Sequence, residues 1–582
     1  MTLGLVGILS IALAATVSRS VSNSKLNRRT TDYSVAQNAA EAAAEKIVAR
    51  MGYDFQNSAL AGVAANLSLY RTNIPNVSEE SSWTNFAFSD GQGNANCTYV
   101  NFLSNYTGNL PSQYPGLFTT RAPIYRIISN AKPVNSVVTG TVQEDVLLAL
   151  VPITQYAIFY NGLLEFSTCA TMTVNGRVHA NGAIYTGTSA SLTFNGTVTT
   201  TSTISSPAWN GQGPSWANKG TYNGTPGYRT NVPTVTLSIG TTNVHSVIDM
   251  PPGGESPTSS SGQNRSYNMA STVLLVSNTT VTMTIQNSVN NQVPGADPSP
   301  IVLSCTTTVS DLATNFPFLN LTNSFTDQRE GKTILNTQID IGKYGQWLAT
   351  NNSILTKYPS GSGTYPTLLY VADNRTANSS QLTGVRLTNG IAPPANGGLG
   401  FTVATPNPLY VLGHYNCTNS SYLGTTNTTA TVPCALMSDA LTILSSAWDD
   451  SKSGNSYTTR SAANDTVNAA ILTGIVPSTG SSSSQFSGGV HNLPRLLEDW
   501  NSPSTRTLTL NTSIMNLFNS TRATHMFINP GTYYDPPTRQ FSYDLNFLDP
   551  AKQPPGIPCA MVLVRLNWAT PPPNCITYNV SP

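Results

Sequence analysis

The stretch Thr171–Ile204 reads TMTVNGRVHANGAIYTGTSASLTFNGTVTTTSTI, and its pattern decides the fold class of the chain. Asn-Gly pairs recur in it at residues 175–176, 181–182 and 195–196, with short runs of Val, Ile, Thr and Phe between them. Such a repeat is typical of the coils of a parallel β-helix or β-roll, or of successive hairpins with Asn-Gly turns. We favour a short β-helix or β-roll segment. The stretch contains no Asp or Glu, so it lacks the carboxylate cluster that an enzyme on such a scaffold needs.

The composition of the whole chain fits an exported, β-rich protein. Only 9% of the 582 residues are charged, against about 25% in an average globular protein. The net charge of +1 provides no basic surface for nucleic acid. The hydrophobic fraction of 39% is too high for a disordered chain. Ser, Thr, Asn and Gly must therefore keep the surface soluble.

The fold class that these patterns predict is α+β, mostly β, with a long N-terminal α-helix followed by a large β-rich head. We divide the chain into residues 1–53, the helix; 54–160, a β-rich region packing on it; 161–345, a β-rich region with the Asn-Gly repeats and Ser/Thr/Gly loops; and 346–582, a β-rich region with short helices. One such short helix is predicted at SDALTILSSAWDD, where Ser438 is a suitable N-cap.

The opening segment predicts a single long helix. Residues 1–18 carry no charged side chain and form the one apolar run that is long enough to span a bilayer. From Ser20 to Met51 there is no Pro or Gly, and Gly52 is a plausible stop. A helix of about 50 residues is about 75 Å long. Its second half has one small apolar face at helical spacing, formed by Ala40, Ala43, Ala44, Ile47 and Val48.

The basic residues of this segment follow the apolar run instead of preceding it. They are Arg19, Lys25, Arg28 and Arg29. Because basic flanks stay cytoplasmic, this order would leave the body of the chain in the cytoplasm. A body so rich in Asn, Ser and Thr looks secreted, so the two indications conflict. The conflict disappears if a basic leader preceded Met1 and was removed, and we therefore expect Met1 to be a processed N-terminus.

At this point the segment resembles a type IV pilin, with an apolar half-helix, an amphipathic half and a β-rich head. The likeness is to minor-pilin-like proteins with an AAEAA stretch, here residues 39–43. Leu5 departs from the pattern, since pilins usually have glutamate at the fifth mature position. Stretches in residues 390–570, among them GLGFTVATPNPLYVLGHYN and QPPGIP, resemble an uncharacterised family of large bacterial pilin-like proteins. No activity is attached to that family.

The resemblance implies a structural subunit of an extracellular type IV pilus-like filament. The subunit would sit in the inner membrane before assembly and then form a helical homo-oligomer at the cell surface. We expect the core contacts of the filament to be Val6, Leu9, Ile11, Leu13 and Val17. The alternative is a surface-anchored adhesin, or a minor tip pilin, that binds a carbohydrate or a surface. A plain membrane anchor is also consistent with the apolar run.

No motif in the chain predicts an enzyme, a cofactor or a metal site, and we expect none. The best acid/base candidates are His491, Arg495, Glu498 and Asp499, for which a structural ion pair of Arg495 with Glu498 or Asp499 is the favoured interpretation.

Two further clusters of charged residues leave alternatives open. Asp449 and Asp450 could bind calcium, although the EF-hand spacing is not met. Asp535, Arg539 and Asp544 predict a rigid turn with an internal salt bridge, or else a sugar-binding platform.

Cysteines and sequons complete the set of candidates. Two pairs are close in sequence, Cys417 with Cys434 and Cys559 with Cys575, and each pair is either a disulfide or two free thiols. A disulfide closing so short a loop would contribute about 3 kcal/mol. Nineteen Asn-X-Ser/Thr sequons permit glycosylation in an exported protein. The candidate glycosylation sites that we single out are Asn195, Asn278, Asn320 and Asn427.

Overall fold

The structure is a computed structural model that describes residues 2–111, 114, 116–166, 171–187, 190–209, 220–286, 303–352, 354, 366–395, 399–480, 482, 485–527 and 532–578. The helices are α1 (Thr2–Ala65), α2 (Leu67–Thr72), α3 (Ser266–Met269), α4 (Leu312–Asn315) and α5 (Ile341–Thr350). The strands are β1 (Phe86–Ser89), β2 (Tyr99–Asn109), β3 (Phe118–Pro133), β4 (Gly140–Pro152), β5 (Tyr156–Tyr160), β6 (Leu164–Glu165), β7 (Met172–Val174), β8 (Arg177–Ala180), β9 (Ile184–Tyr185), β10 (Leu192–Phe194), β11 (Val198–Thr200), β12 (Ile204–Ser205), β13 (Thr221–Tyr222), β14 (Tyr228–Arg229), β15 (Thr272–Val276), β16 (Thr280–Ile285), β17 (Leu303–Thr308), β18 (Leu319–Asn320), β19 (Ser324–Asp327), β20 (Lys332–Asp340), β21 (Leu368–Asp373), β22 (Gln381–Thr388), β23 (Phe401–Ala404), β24 (Leu409–Leu412), β25 (Cys434–Ser438), β26 (Leu441–Leu444), β27 (Asp465–Asn468), β28 (Ala470–Thr473), β29 (Arg495–Leu496), β30 (Thr507–Thr512), β31 (Ile514–Asn516), β32 (Thr538–Tyr543) and β33 (Cys559–Ala569). The predicted fold class, a long N-terminal helix before a large β-rich region, is confirmed.

The chain forms two compact units, residues 1–150 with 561–582, and residues 151–560. The four-part division made from the sequence uses other boundaries and stays a prediction. In the first unit α1 packs on a five-stranded sheet in the order β1-β3-β4-β33, with β2 also paired to β3. The pairings of β3 with β1, β2 and β4 are all antiparallel.

The second unit contains a parallel β-helix that begins at the Asn-Gly stretch. Strands β5, β8 and β11 pair in parallel, so that Val178 lies opposite both Ile158 and Val198. The side chains of Asn195 and Asn175 are 20 residues apart in sequence and bond across neighbouring coils. Consecutive strands of a hairpin would be antiparallel. The β-helix that we favoured is therefore confirmed, and the hairpin alternative is wrong.

The glycines of the Asn-Gly pairs are required by close contact between coils. A Cβ built on Gly196 would lie 2.2 Å from the carbonyl oxygen of Gly176 in the neighbouring coil. Neither glycine has a positive φ, whereas a type I′ hairpin turn needs one. The asparagines stack as a ladder, in which Asn195 Nδ2 donates to Asn175 Oδ1 at 2.7 Å and Asn223 Nδ2 donates to Asn195 Oδ1 at 2.9 Å.

The β-helix is not the short segment that the sequence predicts, because it continues in the C-terminal half of the chain. Twelve strands form one main sheet in the order β14-β11-β8-β5-β31-β28-β25-β23-β21-β15-β16-β17. The second half has longer coils, since side chains that bond between neighbouring coils are 34, 35 and 43 residues apart. Along this sheet the strands from β21 to β31 follow one another in chain order. The strand that pairs with β31 on its other side is β5, which comes from much earlier in the chain. Two stretches that are distant in sequence thus form one continuous solenoid.

A single row of aliphatic side chains runs through this solenoid. Each member lies opposite the next in the paired strands, and all are at most 2% exposed. In spatial order the row is Val198, Val178, Ile158, Ile514, Ile471, Leu436, Val403 and Leu369. Burial of one such side chain stabilises the fold by about 1.5–3 kcal/mol, so the row is a major part of the core.

The short helix predicted at SDALTILSSAWDD is wrong. Ser438 ends β25, and Leu441–Leu444 form β26, which pairs in parallel with β24 and β29. All four residues of β26 are buried. Because both faces of this strand are covered, its apolar residues do not alternate, and a run of this kind is easily taken for a helix.

Candidate functional site

The N-terminal helix α1 is longer than the sequence predicts. It runs from Thr2 to Ala65 and passes through Gly52, with one non-helical residue at Ala59. A glycine inside a helix costs only about 1 kcal/mol. Burial of Phe55, Leu60 and Val63, each at most 1% exposed, offsets that cost and carries the helix past the expected stop.

The second half of α1 is held by the sheet of its own unit. The predicted apolar face is confirmed, since Ala40, Ala43, Ala44, Ile47 and Val48 are all buried. A Cβ built on Gly140 of β4 would lie 2.4 Å from the backbone nitrogen of Gln37, so helix and sheet are in close contact there. Asp32 accepts a hydrogen bond from Ser136 Oγ at 2.7 Å near the point where burial begins.

Ion pairs fasten this half further. Lys46 Nζ lies 2.5 Å from Glu79. Arg565 of β33 hydrogen-bonds the carboxylate of Glu45, which lowers the pKa of that carboxyl. Both pairs are partly exposed, so each adds little stability on its own. They join the helix to the turn at Glu79 and to strand β33.

The first half of α1 is exposed along its whole length. Every residue from Leu3 to Thr31 is accessible to solvent. The predicted core contacts Val6, Leu9, Ile11, Leu13 and Val17 are 54–72% exposed. The segment is long and apolar enough to cross a membrane, with a mean hydropathy of 1.7 over its best 18 residues and none of that window buried. An apolar surface of this length requires lipid or another protein to cover it.

Polar side chains in this half are compatible with an apolar environment. Ser10 Oγ donates to the carbonyl of Val6 and Thr16 Oγ1 to that of Ala12, both at 2.8 Å. These hydroxyls are thus satisfied inside the helix itself. Gly4 and Gly7 leave open space, because a Cβ on either would meet nothing within 4 Å. The backbone of another helix could approach closely at these two positions.

The sequence reasoning missed several members of this apolar surface. Leu3, Leu5 and Ile8 are 91%, 66% and 70% exposed, and Val21 and Leu26 beyond the uncharged run are 48% and 60% exposed. Val21 follows Val17 by four residues, which is a signal that could have found it. The exposed apolar surface therefore continues into the basic part of the helix.

The predicted acid/base candidates Arg495, Glu498 and Asp499 each bond to a residue outside the predicted set. Arg495 pairs with Glu330, with Nη1 to Oε1 at 2.6 Å, so the expected partners Glu498 and Asp499 are wrong. Glu498 accepts from the backbone nitrogen and Oγ of Ser445 at 2.6 and 2.7 Å, and burial raises its pKa to about 7. Asp499 accepts from the backbone nitrogen of Asn501 at 3.0 Å. These groups tie loops and coils together.

The other charged candidates also have protein partners. Asp450 binds Arg386, with the shorter distance 2.6 Å, and Asp449 accepts from the backbone nitrogen of Ser451. Arg539 Nη2 donates to Asn492 at 2.7 Å, and Asp544 accepts from Thr428 at 2.7 Å. Within the described ranges no group of three or more His, Cys, Asp or Glu side chains is placed to hold a metal ion.

The four candidate disulfide cysteines are free thiols in the structure. Cys417, Cys434 and Cys559 are buried, and Cys575 is exposed. Burial raises the pKa of the Cys417 and Cys434 thiols, so both stay protonated at neutral pH. Cys169 lies outside the described residues.

Of the candidate glycosylation sites, Asn195 and Asn278 are exposed and Asn320 and Asn427 are half-buried, and the side-chain amides of all four are engaged. Asn195 belongs to the asparagine ladder, and Asn278 donates to Thr376. Asn320 and Asn427 each accept from the threonine of their own sequon, Thr322 and Thr429. Glycosylation at these sites stays a prediction.

Comparison with known proteins adds a distant likeness. No family model matches the chain, and no curated protein matches it. Among solved structures it is similar to the crystal structure of the competence-associated pilin ComZ from Thermus thermophilus, at 10% sequence identity, over 93% of this chain and 98% of that one, with a TM-score of 0.25. At that TM-score the likeness carries no argument.

Proposed function

We propose that this chain is a structural subunit of an extracellular type IV pilus-like filament and that it polymerises through α1. The observation that supports the proposal is the contrast within that helix. Its second half is buried against the β-rich part of its own unit, whereas every residue from Leu3 to Thr31 is exposed. A single copy of the chain leaves this apolar surface uncovered, and neighbouring copies of the same helix would cover it.

The energetics are adequate for a polymer without covalent links. Burying one large apolar side chain is worth about 1.5–3 kcal/mol. Ten such residues between Leu3 and Leu26 are at least 48% exposed in the single chain. Even partial burial of these side chains between neighbouring helices would outweigh the entropy that a subunit loses on association.

The same segment would hold the subunit in a membrane before assembly. An apolar helix of this length is stable in a bilayer, because its backbone hydrogen bonds are all internal. We therefore infer that the subunit is inserted in the inner membrane through residues 3–18 and leaves it for the filament at the cell surface. Arg19 and the basic residues after it would lie at the membrane boundary.

The test of this proposal is Leu13→Lys in the native cell. A lysine there would place a charge inside the filament core, and we expect at least a tenfold loss of the chain from sheared surface filaments. Gln56→Lys is the matched control, since residue 56 is exposed on the same helix but lies outside residues 3–31. Filaments that form at the normal yield with Leu13→Lys would contradict the proposal.

The alternative is a surface-anchored adhesin or a minor tip pilin, in which the helix holds a single copy. It is favoured by the fact that one 18-residue window of α1 meets the length and hydropathy of a single membrane crossing. Copy number separates the two functions. A filament subunit is abundant in sheared material, whereas a tip subunit is rare and an anchored adhesin stays with the membrane.

A further inference from the structure

The part of α1 that follows the apolar run carries an unbalanced positive charge. Residues 1–31 contain four of the 28 Lys and Arg residues of the chain and none of its 27 Asp and Glu residues. The four cations are Arg19, Lys25, Arg28 and Arg29. The first acidic residue after them, Asp32, is already engaged, because it accepts a hydrogen bond from Ser136. The segment therefore has no counter-charge of its own.

All four cations are available to a partner. Each is exposed, and none of them forms an ion pair or a hydrogen bond with another residue in the described part of the chain. Two cations further along α1 differ in this respect, since Lys46 pairs with Glu79 and Arg50 pairs with Asp54. A cluster of unpaired charges of one sign attracts a partner of the opposite sign.

The segment has two different faces. One face carries no charge and consists of polar residues at helical spacing, which are Ser20, Asn23, Ser24, Asn27 and Thr31. The cations lie on the rest of the helix surface, together with Val21 and Leu26, which are 48% and 60% exposed. Helices that contact a membrane surface combine cations, which attract anionic lipids, with apolar side chains that enter the headgroup layer. The charged face therefore fits a lipid surface better than a small soluble anion.

The cations are close enough to the apolar run to reach the headgroups of a bilayer that holds it. At 1.5 Å per residue, Lys25 lies about 10 Å and Arg29 about 16 Å beyond Ser18. The side chains of an α-helix lean toward its N-terminus, which in α1 is the direction of the apolar run. The headgroup layer is about 5–8 Å thick, and the attraction of a charged surface extends about one Debye length of 8 Å further. The charged ends of all four side chains thus lie within that attraction.

We propose that Arg19, Lys25, Arg28 and Arg29 bind the phosphate groups of anionic phospholipids, in the leaflet from which the body of the chain emerges. The proposal rests on the proposed function in one respect, namely that residues 3–18 lie in a membrane before assembly. Three of the four cations are arginines, whose guanidinium groups can form two parallel hydrogen bonds to one phosphate. The apolar run holds the helix in any bilayer, whereas the cations favour a bilayer that contains anionic lipid.

The experiment measures which lipid surrounds the full-length protein in a bilayer. The chain is reconstituted in phosphatidylcholine that contains a trace of spin-labelled phosphatidylglycerol, which is anionic, or of spin-labelled phosphatidylcholine, which is neutral. The electron paramagnetic resonance spectrum gives the fraction of each labelled lipid that the protein immobilises. At low salt we expect the association constant of phosphatidylglycerol to be at least threefold that of phosphatidylcholine. In 1 M NaCl, where the Debye length is about 3 Å, the difference should fall.

Two sets of variants assign the preference to the cations. The combined variant Arg19→Gln, Lys25→Gln, Arg28→Gln and Arg29→Gln should bind the two lipids equally. The matched control changes four residues of the uncharged face, with Ser20→Gln, Asn23→Gln, Ser24→Gln and Asn27→Gln, and should keep the full preference. All eight positions are exposed, so neither set disturbs the buried half of α1.

The outcomes separate the lipid preference from the proposed function. If neither lipid is immobilised, the helix does not enter the bilayer, and the membrane step of the proposed function is wrong together with the lipid preference. Equal immobilisation of both lipids would show an inserted helix whose cations have another partner, such as the acidic side chains of a second copy, and would overturn the lipid preference alone. A preference that persists in the four-Gln variant, or undiminished in 1 M NaCl, would overturn it as well.

Discussion

Ile514 of β31 lies directly opposite Ile158 of β5 in a parallel pairing, and both side chains are at most 2% exposed. These two residues join the coils formed by the C-terminal half of the chain to those formed around the Asn-Gly stretch. The solenoid therefore depends on a contact between residues that are very distant in sequence.

Shortening either side chain of the Ile158–Ile514 pair should destabilise the second unit strongly. We expect Ile158→Ala and Ile514→Ala each to lower the free energy of unfolding by about 2–5 kcal/mol, because each leaves a cavity in the aliphatic row. Denaturant unfolding measures this. The double variant should lose less than the sum of the two, since the side chains are direct neighbours. The control is Thr221→Ala, which changes an exposed residue of a strand. Strictly additive losses in the double variant would contradict a direct contact between Ile158 and Ile514.

The glycines between coils give a second test. Gly196→Ala would place a Cβ 2.2 Å from a backbone oxygen that belongs to a paired coil and cannot move away alone. We expect a loss of about 1–3 kcal/mol or more in the free energy of unfolding. The matched control is Gly162→Ala in the same solenoid, where a Cβ meets nothing within 4 Å. Equal stability of the two variants would show that the coils do not stack in this way.

The buried carboxyl of Glu498 makes stability depend on pH. Its pKa is raised from 4.5 to about 7 by burial, so the folded chain holds this proton more tightly than the unfolded chain. The stability that this proton contributes is fully present below pH 4.5 and is lost as the pH rises through 7. The loss is on the order of 3 kcal/mol in the free energy of unfolding. Glu498→Gln should flatten the decline in melting temperature between pH 5 and 8, and exposed Glu80→Gln should not. An unchanged pH profile in Glu498→Gln would argue against a buried acid.

Thiol labelling checks the cysteines. Cys575 is exposed and should react with iodoacetamide in the native protein, whereas the buried Cys417 and Cys434 should react only after unfolding. Mass spectrometry without reductant gives the answer. If Cys417 and Cys434 stay unlabelled in the denatured, unreduced chain, they form the disulfide that the sequence left open.

Local patterns in the sequence predicted much of this fold. The spacing of Ala40, Ala43 and Ala44 identified the buried face of α1, and the Asn-Gly repeat identified the β-helix, because both signals lie within one element or one coil. The extension of α1 past Gly52 was missed, since the burial of Phe55 depends on tertiary packing.

The longer part of the β-helix was missed for a related reason. Its coils vary in length, and the contact of Ile514 with Ile158 is non-local, so no fixed period marks it. The exposed helix was recognised from hydropathy alone.

Electron cryo-microscopy of filaments sheared from the surface of the native cells tests the filament proposal most directly. We expect filaments built from this chain, with residues 3–31 of neighbouring subunits packed together in the core. Filaments that lack this chain, with the chain recovered only as single copies in the membrane fraction, would contradict it.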